Sequence, residues 1–197
     1  VDSAPVGSTT HLVTADRTGN MVSYTLTIES TGGSAITVPN RGFLLNNELT
    51  DFNFTGPSPN LPAPGKRPRS SMSPTLVFDD GRPFLALGSP GGSTIITTVA
   101  HVLTNHLDRG LSLPDAIEEP RPSQRNTPQV TAEPAFIERY GEDLEARGHE
   151  FTPFTDPAGI GAVTAIERLG RGRWLAAAEA VRRGGGDARV VRPARHR

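Results

Sequence analysis

A threonine hydroxyl is a poor nucleophile unless a base stands beside it, and the α-amine of a chain terminus can be that base. Ser8-Thr9-Thr10-His11 offers such a threonine only after cleavage between Ser8 and Thr9, because an internal Thr9 carries an amide nitrogen. A terminal amine titrates at roughly 7.7 to 8, so a useful fraction is neutral at pH 7 and can accept the hydroxyl proton. A Thr pair opening a β-strand is also ordinary structure. Gly91-Gly92 precedes a helix that Ser93 can cap, and free N–H groups at such a start favour a developing negative charge. The same pair is equally a tight turn. Glu48 and Asp51 can together accept hydrogen bonds from an ammonium group, or form a solvated acidic turn. Ser70-Ser71 offers two hydroxyls to a carboxylate, or a polar turn before Pro74. Taken one at a time, these signals leave both readings open.

The elements around them follow from pattern. β-Branched and aromatic residues in 11–15 and 20–28 flank Asp16-Arg17-Thr18-Gly19, which reads as a hairpin. A second hairpin joins 75–78 to 83–87 through Asp79-Asp80-Gly81. Pro57, Pro59, Pro62, Pro64 and Pro68, with Gly56 and Gly65, make 53–68 a long surface loop. Ile95, Ile96, Val99, Val102, Leu103 and Leu107 recur near a 3.6-residue period, predicting a helix from Ser93 to about Arg109 with Gly110 as its stop. A short helix over 113–119 ends at Pro120, a polar linker covers 121–129, and a further helix spans 134–147 before Gly148. Strands are expected at 150–154, 161–167 and 173–179. The alanines of 174–181 would also suit a helix.

The bulk properties narrow the field. The chain has 197 residues, enough to bury a substantial core in one domain. With 21 Gly, 18 Pro and only 35% hydrophobic residues, turns must outnumber long helices. A net charge of −1 and no basic stripe interleaved with aromatics exclude a nucleic-acid partner; Lys66 is the only lysine, which reflects coding bias rather than chemistry. There is no Cys, hence no disulfide framework and no thiolate chemistry. The longest apolar run, 95–103, is interrupted by Thr97, Thr98 and His101, so no membrane span is expected.

Four blocks in order, Ser8-Thr9-Thr10-His11, Asn46-Asn47-Glu48-Leu49-Thr50-Asp51-Phe52, Arg69-Ser70-Ser71-Met72-Ser73-Pro74 and Gly88-Ser89-Pro90-Gly91-Gly92-Ser93, resemble the small subunit of the γ-glutamyltransferases. These are N-terminal-nucleophile enzymes made by self-cleavage of a precursor. The resemblance covers Thr9 to about Gly186. It implies an α+β fold, one half of a four-layer αββα sandwich shared with a large subunit. It divides the chain into 1–8, the end of the large subunit or propeptide; 9–186, the small-subunit domain; and 187–197, a disordered tail.

By the same resemblance, Thr9 is the nucleophile for self-cleavage and catalysis, and Thr27 assists it. Glu48 and Asp51 grip the α-amino group of a γ-glutamyl substrate, Ser70 and Ser71 bind its α-carboxylate, and Gly91 and Gly92 form the oxyanion site. Glu29 replaces an Asn common in the family, a change seen in bacterial members whose substrate site lacks a lid, and the loop after Asn53 has no Tyr to close over it. An open cleft for large substrates is implied. The usual Ala-Asp-Pro-Arg-Arg pattern near the end reads Glu179-Ala180-Val181-Arg182-Arg183, a departure next to the last strand. The implied activity is γ-glutamyl transfer or hydrolysis on glutathione and related compounds, with water, an amino acid or a peptide as acceptor. The implied partner is the large subunit, no cofactor or metal is needed, and export to the periplasm, cell surface or medium is the family norm. Rival readings are a poly-γ-glutamate-processing enzyme, a cephalosporin acylase relative, and an unprocessed noncatalytic module.

Overall fold

The computed structural model describes residues 8–170 and 172–191. Strands β1 (Thr10–Ala15) and β2 (Met21–Leu26) form the first hairpin, in register from Thr10 opposite Leu26 to Ala15 opposite Met21. Asp16 closes its turn by accepting the Thr18 and Asn20 N–H groups at 2.8 and 3.0 Å, the local bonding that makes Asp a turn former. Strands β3 (Thr75–Asp79) and β4 (Arg82–Gly88) form the second hairpin. β4 pairs with β8 (Thr164–Gly170) and β8 with β9 (Arg173–Ala178), giving an antiparallel sheet of order β3-β4-β8-β9.

Helices α1 (Ile95–Leu103) and α2 (Leu113–Glu118) cover one face of this sheet. The core between them is Leu85 and Leu87 of β4, Val163 and Ala165 at β8, Ile95, Val99 and Val102 of α1, and Leu113, Ala116 and Ile117 of α2. The β1–β2 hairpin packs on the opposite face, against β4 and β8. The order of layers is therefore helix, sheet, hairpin, three of the four layers of an αββα sandwich.

The hairpin faces inward with polar residues. His11 is buried, its Nδ1 2.7 Å from the Thr25 hydroxyl, and Ser23 donates to the Leu87 carbonyl at 2.9 Å. Burial pushes the His11 pKa down to about 4, so the ring is neutral at pH 7. The ring lies flat against Gly88, where an added Cβ would come within 2.6 Å of Nδ1 and Nε2. Gly88→Ala is expected to separate hairpin from sheet and destabilise the protein by about 1–3 kcal/mol. Thermal melting of the full-length variant checks this, and an unchanged Tm would show that His11 can move aside.

Several expectations are corrected. The helix over 93–109 is divided: a 3-10 turn over Gly92–Thr94 leads into α1, and a π-helical turn over Thr104–Asp108 follows it. Asn105 is buried in that wide turn, its side-chain oxygen accepting from Arg109 at 2.8 Å. The polar linker holds β5 (Pro122–Ser123) and runs into β6 (Val130–Ala132). β6 pairs in parallel with β7 (Phe151–Pro153) across α3 (Pro134–Glu145), the crossover that parallel pairing requires. β8 starts three residues later than expected because the Ala162 N–H bonds the Ser89 hydroxyl at 2.8 Å instead of a neighbouring strand. The strand expected at 173–179 is present as 173–178, and its alanines do not turn it helical. Residues 187–191 carry no regular structure; the rest of the predicted tail, 192–197, and 1–7 of the predicted leading segment lie outside the described residues. No helix among the described residues is long and apolar enough to cross a membrane.

Candidate active site

Thr9 immediately precedes β1, and Thr27 immediately follows β2, so the hairpin register brings them together. The Thr9 hydroxyl donates to Thr27 Oγ1 at 3.1 Å, and the Glu29 N–H donates to the same oxygen at 2.8 Å. With two donors directed at it, Thr27 Oγ1 fixes the Thr9 hydroxyl on one side of the chain.

Glu29 connects this pair to the acidic block. Its backbone is left-handed at φ 72°, uncommon for a residue with a Cβ. Its carboxylate accepts from Asn47 Nδ2 at 2.5 Å and from the Ser30 hydroxyl, while Asn47 Oδ1 takes the Ser30 N–H at 3.0 Å. Asn47 begins the 3-10 turn Glu48–Asp51, so Glu48 and Asp51 are held beside Glu29. Burial, then repulsion from Asp51 and Glu29, raises the Glu48 pKa. Burial and Glu29 raise that of Asp51, with Arg69 opposing. Three carboxylates in one partly desolvated spot form a site that a cation would relieve.

The serines reach this acidic group through the proline-rich loop. Asn60 Nδ2 donates to the Asp51 carbonyl at 2.7 Å and its Oδ1 accepts the Arg69 N–H at 2.9 Å, tying Arg69-Ser70-Ser71 to the acidic turn. Ser70 is exposed and Ser71 half-buried. Three neighbouring carboxylates and a pair of hydroxyls thus lie on adjoining loops.

Gly91 has φ 143° and Gly92 φ 55°. The Thr94 N–H and hydroxyl both bond the Gly91 carbonyl, at 3.2 and 2.9 Å, while no acceptor among the described residues takes the Gly91 or Gly92 N–H. Pro90, next to this turn, lines a cleft of about 740 Å³ together with Thr9, Thr10, Ala158, Thr164 and Arg183. Thr9 thus lines a cleft that reaches Pro90, the residue before the glycine turn. No hydrogen bond or ion pair among the described residues joins Ser70, Ser71, Glu48 or Asp51 to Thr9; Glu29 is the link. Sequence reasoning missed Ser30, Asn47 and Asn60, whose roles depend on side-chain contacts 17, 18 and 9 residues away.

The chain matches the family model described as Gamma-glutamyltranspeptidase over residues 2–189. It is 44% identical over 160 residues to the glutathione hydrolase proenzyme of Bacillus subtilis strain 168, covering 81% of this chain and 27% of that protein. It is 39% identical over 153 residues to the glutathione hydrolase proenzyme of Escherichia coli K12, covering 72% and 26%. The chain thus spans about a quarter of the length of the curated relatives it matches. The gamma-glutamyltranspeptidase of Pseudomonas nitroreducens solved with L-DON is similar at a TM-score of 0.80 and 32% identity, covering 93% of this chain and 100% of that one.

Proposed function

The chain belongs to the gamma-glutamyltranspeptidase family, and we propose that residues 9–186 are the small subunit of a self-cleaving precursor that transfers and hydrolyses γ-glutamyl groups. The observation that carries this reading is the hydroxyl of Thr9, a residue that lines the cleft, bonded to Thr27 Oγ1 at 3.1 Å. The extent of the matches supports it: the same unit is a fraction of each proenzyme and the whole of a separate chain in the solved relative.

Once Thr9 is terminal, its amine takes the hydroxyl proton as Oγ attacks the γ-carbonyl of glutathione or a similar compound. Thr27 orients the hydroxyl. The Gly91 and Gly92 N–H groups receive the negative charge on the carbonyl oxygen, a contribution of about 3–4 kcal/mol per donor in comparable sites. The γ-amide C–N bond breaks, the substrate's amine departs with the proton returned by the Thr9 ammonium, and water or an acceptor amine then attacks the γ-glutamyl ester on Thr9. Glu29, Glu48 and Asp51 hold the substrate ammonium, and Ser70 and Ser71 its α-carboxylate. The acidic trio favours a substrate with an α-amino group over an acyl group that lacks one.

The large subunit is the proposed partner. On the outward face of the β1–β2 hairpin, Leu12, Val22, Tyr24 and Leu26 are exposed, Tyr24 to 53%. Apolar residues outside and polar ones inside invert the usual half-buried hairpin, and such a patch marks an interface.

The test is the mass and N-terminal sequence of the products from the full-length precursor, followed by hydrolysis of γ-glutamyl-p-nitroanilide. A new terminus at Thr9 with hydrolysis supports the proposal. A folded precursor with Ser8–Thr9 intact and no hydrolysis would reject it in favour of a noncatalytic module.

The raised pKa values of Glu48 and Asp51 set a pH dependence. Ammonium binding needs the charged carboxylates, so KM for a γ-glutamyl substrate is expected to rise on acidification, starting above the ordinary carboxylate range near about 4. The native state holds these protons more tightly than the unfolded chain, so acidification weakens binding while favouring the fold at this spot. Asp51→Asn should raise KM by about tenfold or more and flatten this acid limb. A KM–pH profile that the variant leaves unchanged would remove Asp51 from the binding site.

A further inference from the structure

We infer that Ser8 is a positioning residue for the cleavage of its own peptide bond, clasped by the carbonyls of Glu29 and Ser30. This rests on the reading that the precursor cleaves before Thr9. The Ser8 N–H donates to the Glu29 carbonyl at 3.1 Å. The Ser8 hydroxyl donates to the Ser30 carbonyl at 3.0 Å and shares its proton with the Glu29 carbonyl at 3.2 Å. Backbone and side chain of Ser8 are thereby bound to one dipeptide.

That dipeptide is itself rigid. The left-handed turn at Glu29 directs two successive carbonyls toward Ser8, a backbone shape that persists only where its surroundings enforce it. Asn47 supplies the enforcement by bonding both the Glu29 carboxylate and the Ser30 N–H. Two residues earlier, Thr27 receives the Thr9 hydroxyl. A single turn, 27–30, therefore grips both sides of the Ser8–Thr9 bond: Thr27 holds the attacking hydroxyl, and Glu29–Ser30 hold the residue whose carbonyl is attacked. Fixing two reacting groups on one frame is the condition for a fast intramolecular step.

The chemistry balances within the chain plus one water. Thr9 Oγ bonds to the Ser8 carbonyl carbon, the Ser8–Thr9 C–N bond breaks, and the hydroxyl proton ends on the Thr9 nitrogen, leaving an ester. Water then hydrolyses that ester to a Ser8 carboxylate and a free Thr9 hydroxyl, with one proton released. After this step Ser8 is the end of a different chain. Its hydroxyl serves the cleavage and not the turnover of substrate, which separates it from every other residue at the site.

The experiment is a pulse of cell-free synthesis of the full-length precursor, followed by the appearance of cleaved product on denaturing gels. Ser8→Ala is expected to slow cleavage on the order of tenfold, the effect of removing a hydroxyl that aligns a reacting group. Ser8→Thr, which keeps the hydroxyl, should restore most of the rate. Once cleaved, the Ser8→Ala protein should match the wild type in kcat/KM for γ-glutamyl-p-nitroanilide, and that equality also shows that it folded. Cleavage of Ser8→Ala at the wild-type rate, failure of Ser8→Thr to restore a slowed rate, or an equal loss in the matured enzyme would each overturn the role of Ser8 alone. A wild-type precursor that never cleaves would overturn the self-processing reading beneath it.

Discussion

Thr9→Ala in the full-length precursor is expected to leave one uncleaved chain and to lower γ-glutamyl hydrolysis by about a thousandfold or more. Losing a nucleophile removes the covalent route entirely, and what remains comes from binding and oxyanion contacts. Both defects share one cause, because the same oxygen attacks the Ser8 carbonyl first and the γ-carbonyl later. Thr9→Ser keeps the oxygen but loses the methyl that restricts its rotation, so slower cleavage with an intact terminus at residue 9 is expected. Thr27→Ala should have a smaller effect on both steps, since the hydroxyl survives and only its partner at 3.1 Å is lost. Intact mass and a γ-glutamyl-p-nitroanilide assay read all three. A Thr9→Ala protein that still cleaves at 8–9 would assign the chemistry to another residue.

The legibility of this molecule divides by the range of its interactions. The first hairpin was readable because Asp16, Thr18, Gly19 and Asn20 build the turn from bonds within four residues. The same holds for Asp79-Asp80-Gly81 and for α2, whose Ser112 cap bonds the Asp115 N–H at 3.3 Å. β5 and β6 were missed because strands of two and three residues carry no period, and β6 acquires its partner only across α3. For the site, the residue types suggested acyl transfer, but family resemblance was needed to connect four separated blocks. The geometry adds why they connect. Glu29 bonds Thr27 through its N–H and Asn47 through its carboxylate, and no spacing rule exposes a contact of that kind. Arg121 and Glu179 are the plainest failure: the sequence places one at the start of a polar linker and the other in a departure from a family pattern. They are partners 58 residues apart.

That pair carries the second large prediction. Arg121 is fully buried, and its guanidinium donates to the Ile160 carbonyl at 2.7 Å, to Glu179 at 2.8 Å and to the Ile117 carbonyl. Burial, then the nearby Arg182 charge, lowers its pKa to about 10 against the pull of Glu179, and it stays charged at pH 7. Arg182 bonds both Glu179 and Glu133, and Glu133 accepts the Arg121 and Ile160 N–H groups at 2.9 and 3.0 Å. Arg121→Ala is therefore expected to destabilise the folded protein by about 2–4 kcal/mol, because it leaves the buried Glu179 with Arg182 as its remaining cation, removes the donor of the Ile160 carbonyl and opens a cavity where the side chain lay. The consequence reaches the cleft. Ile160 belongs to the loop that carries Ala158, Glu179 leads to the turn that carries Arg183, and the Arg183 N–H bonds the Ala158 carbonyl at 2.8 Å; Ala158 and Arg183 both line the cleft beside Thr9. Loss of Arg121 should slow cleavage and turnover together, unlike Ser8→Ala. An Arg121→Leu, Glu179→Leu double variant should be more stable than Arg121→Ala, since it replaces a half-compensated buried carboxylate with apolar volume while Arg182 keeps Glu133. Thermal melting of the three proteins decides it, and a double variant no better than Arg121→Ala would mean that lost packing, and not the half-compensated Glu179, causes the damage.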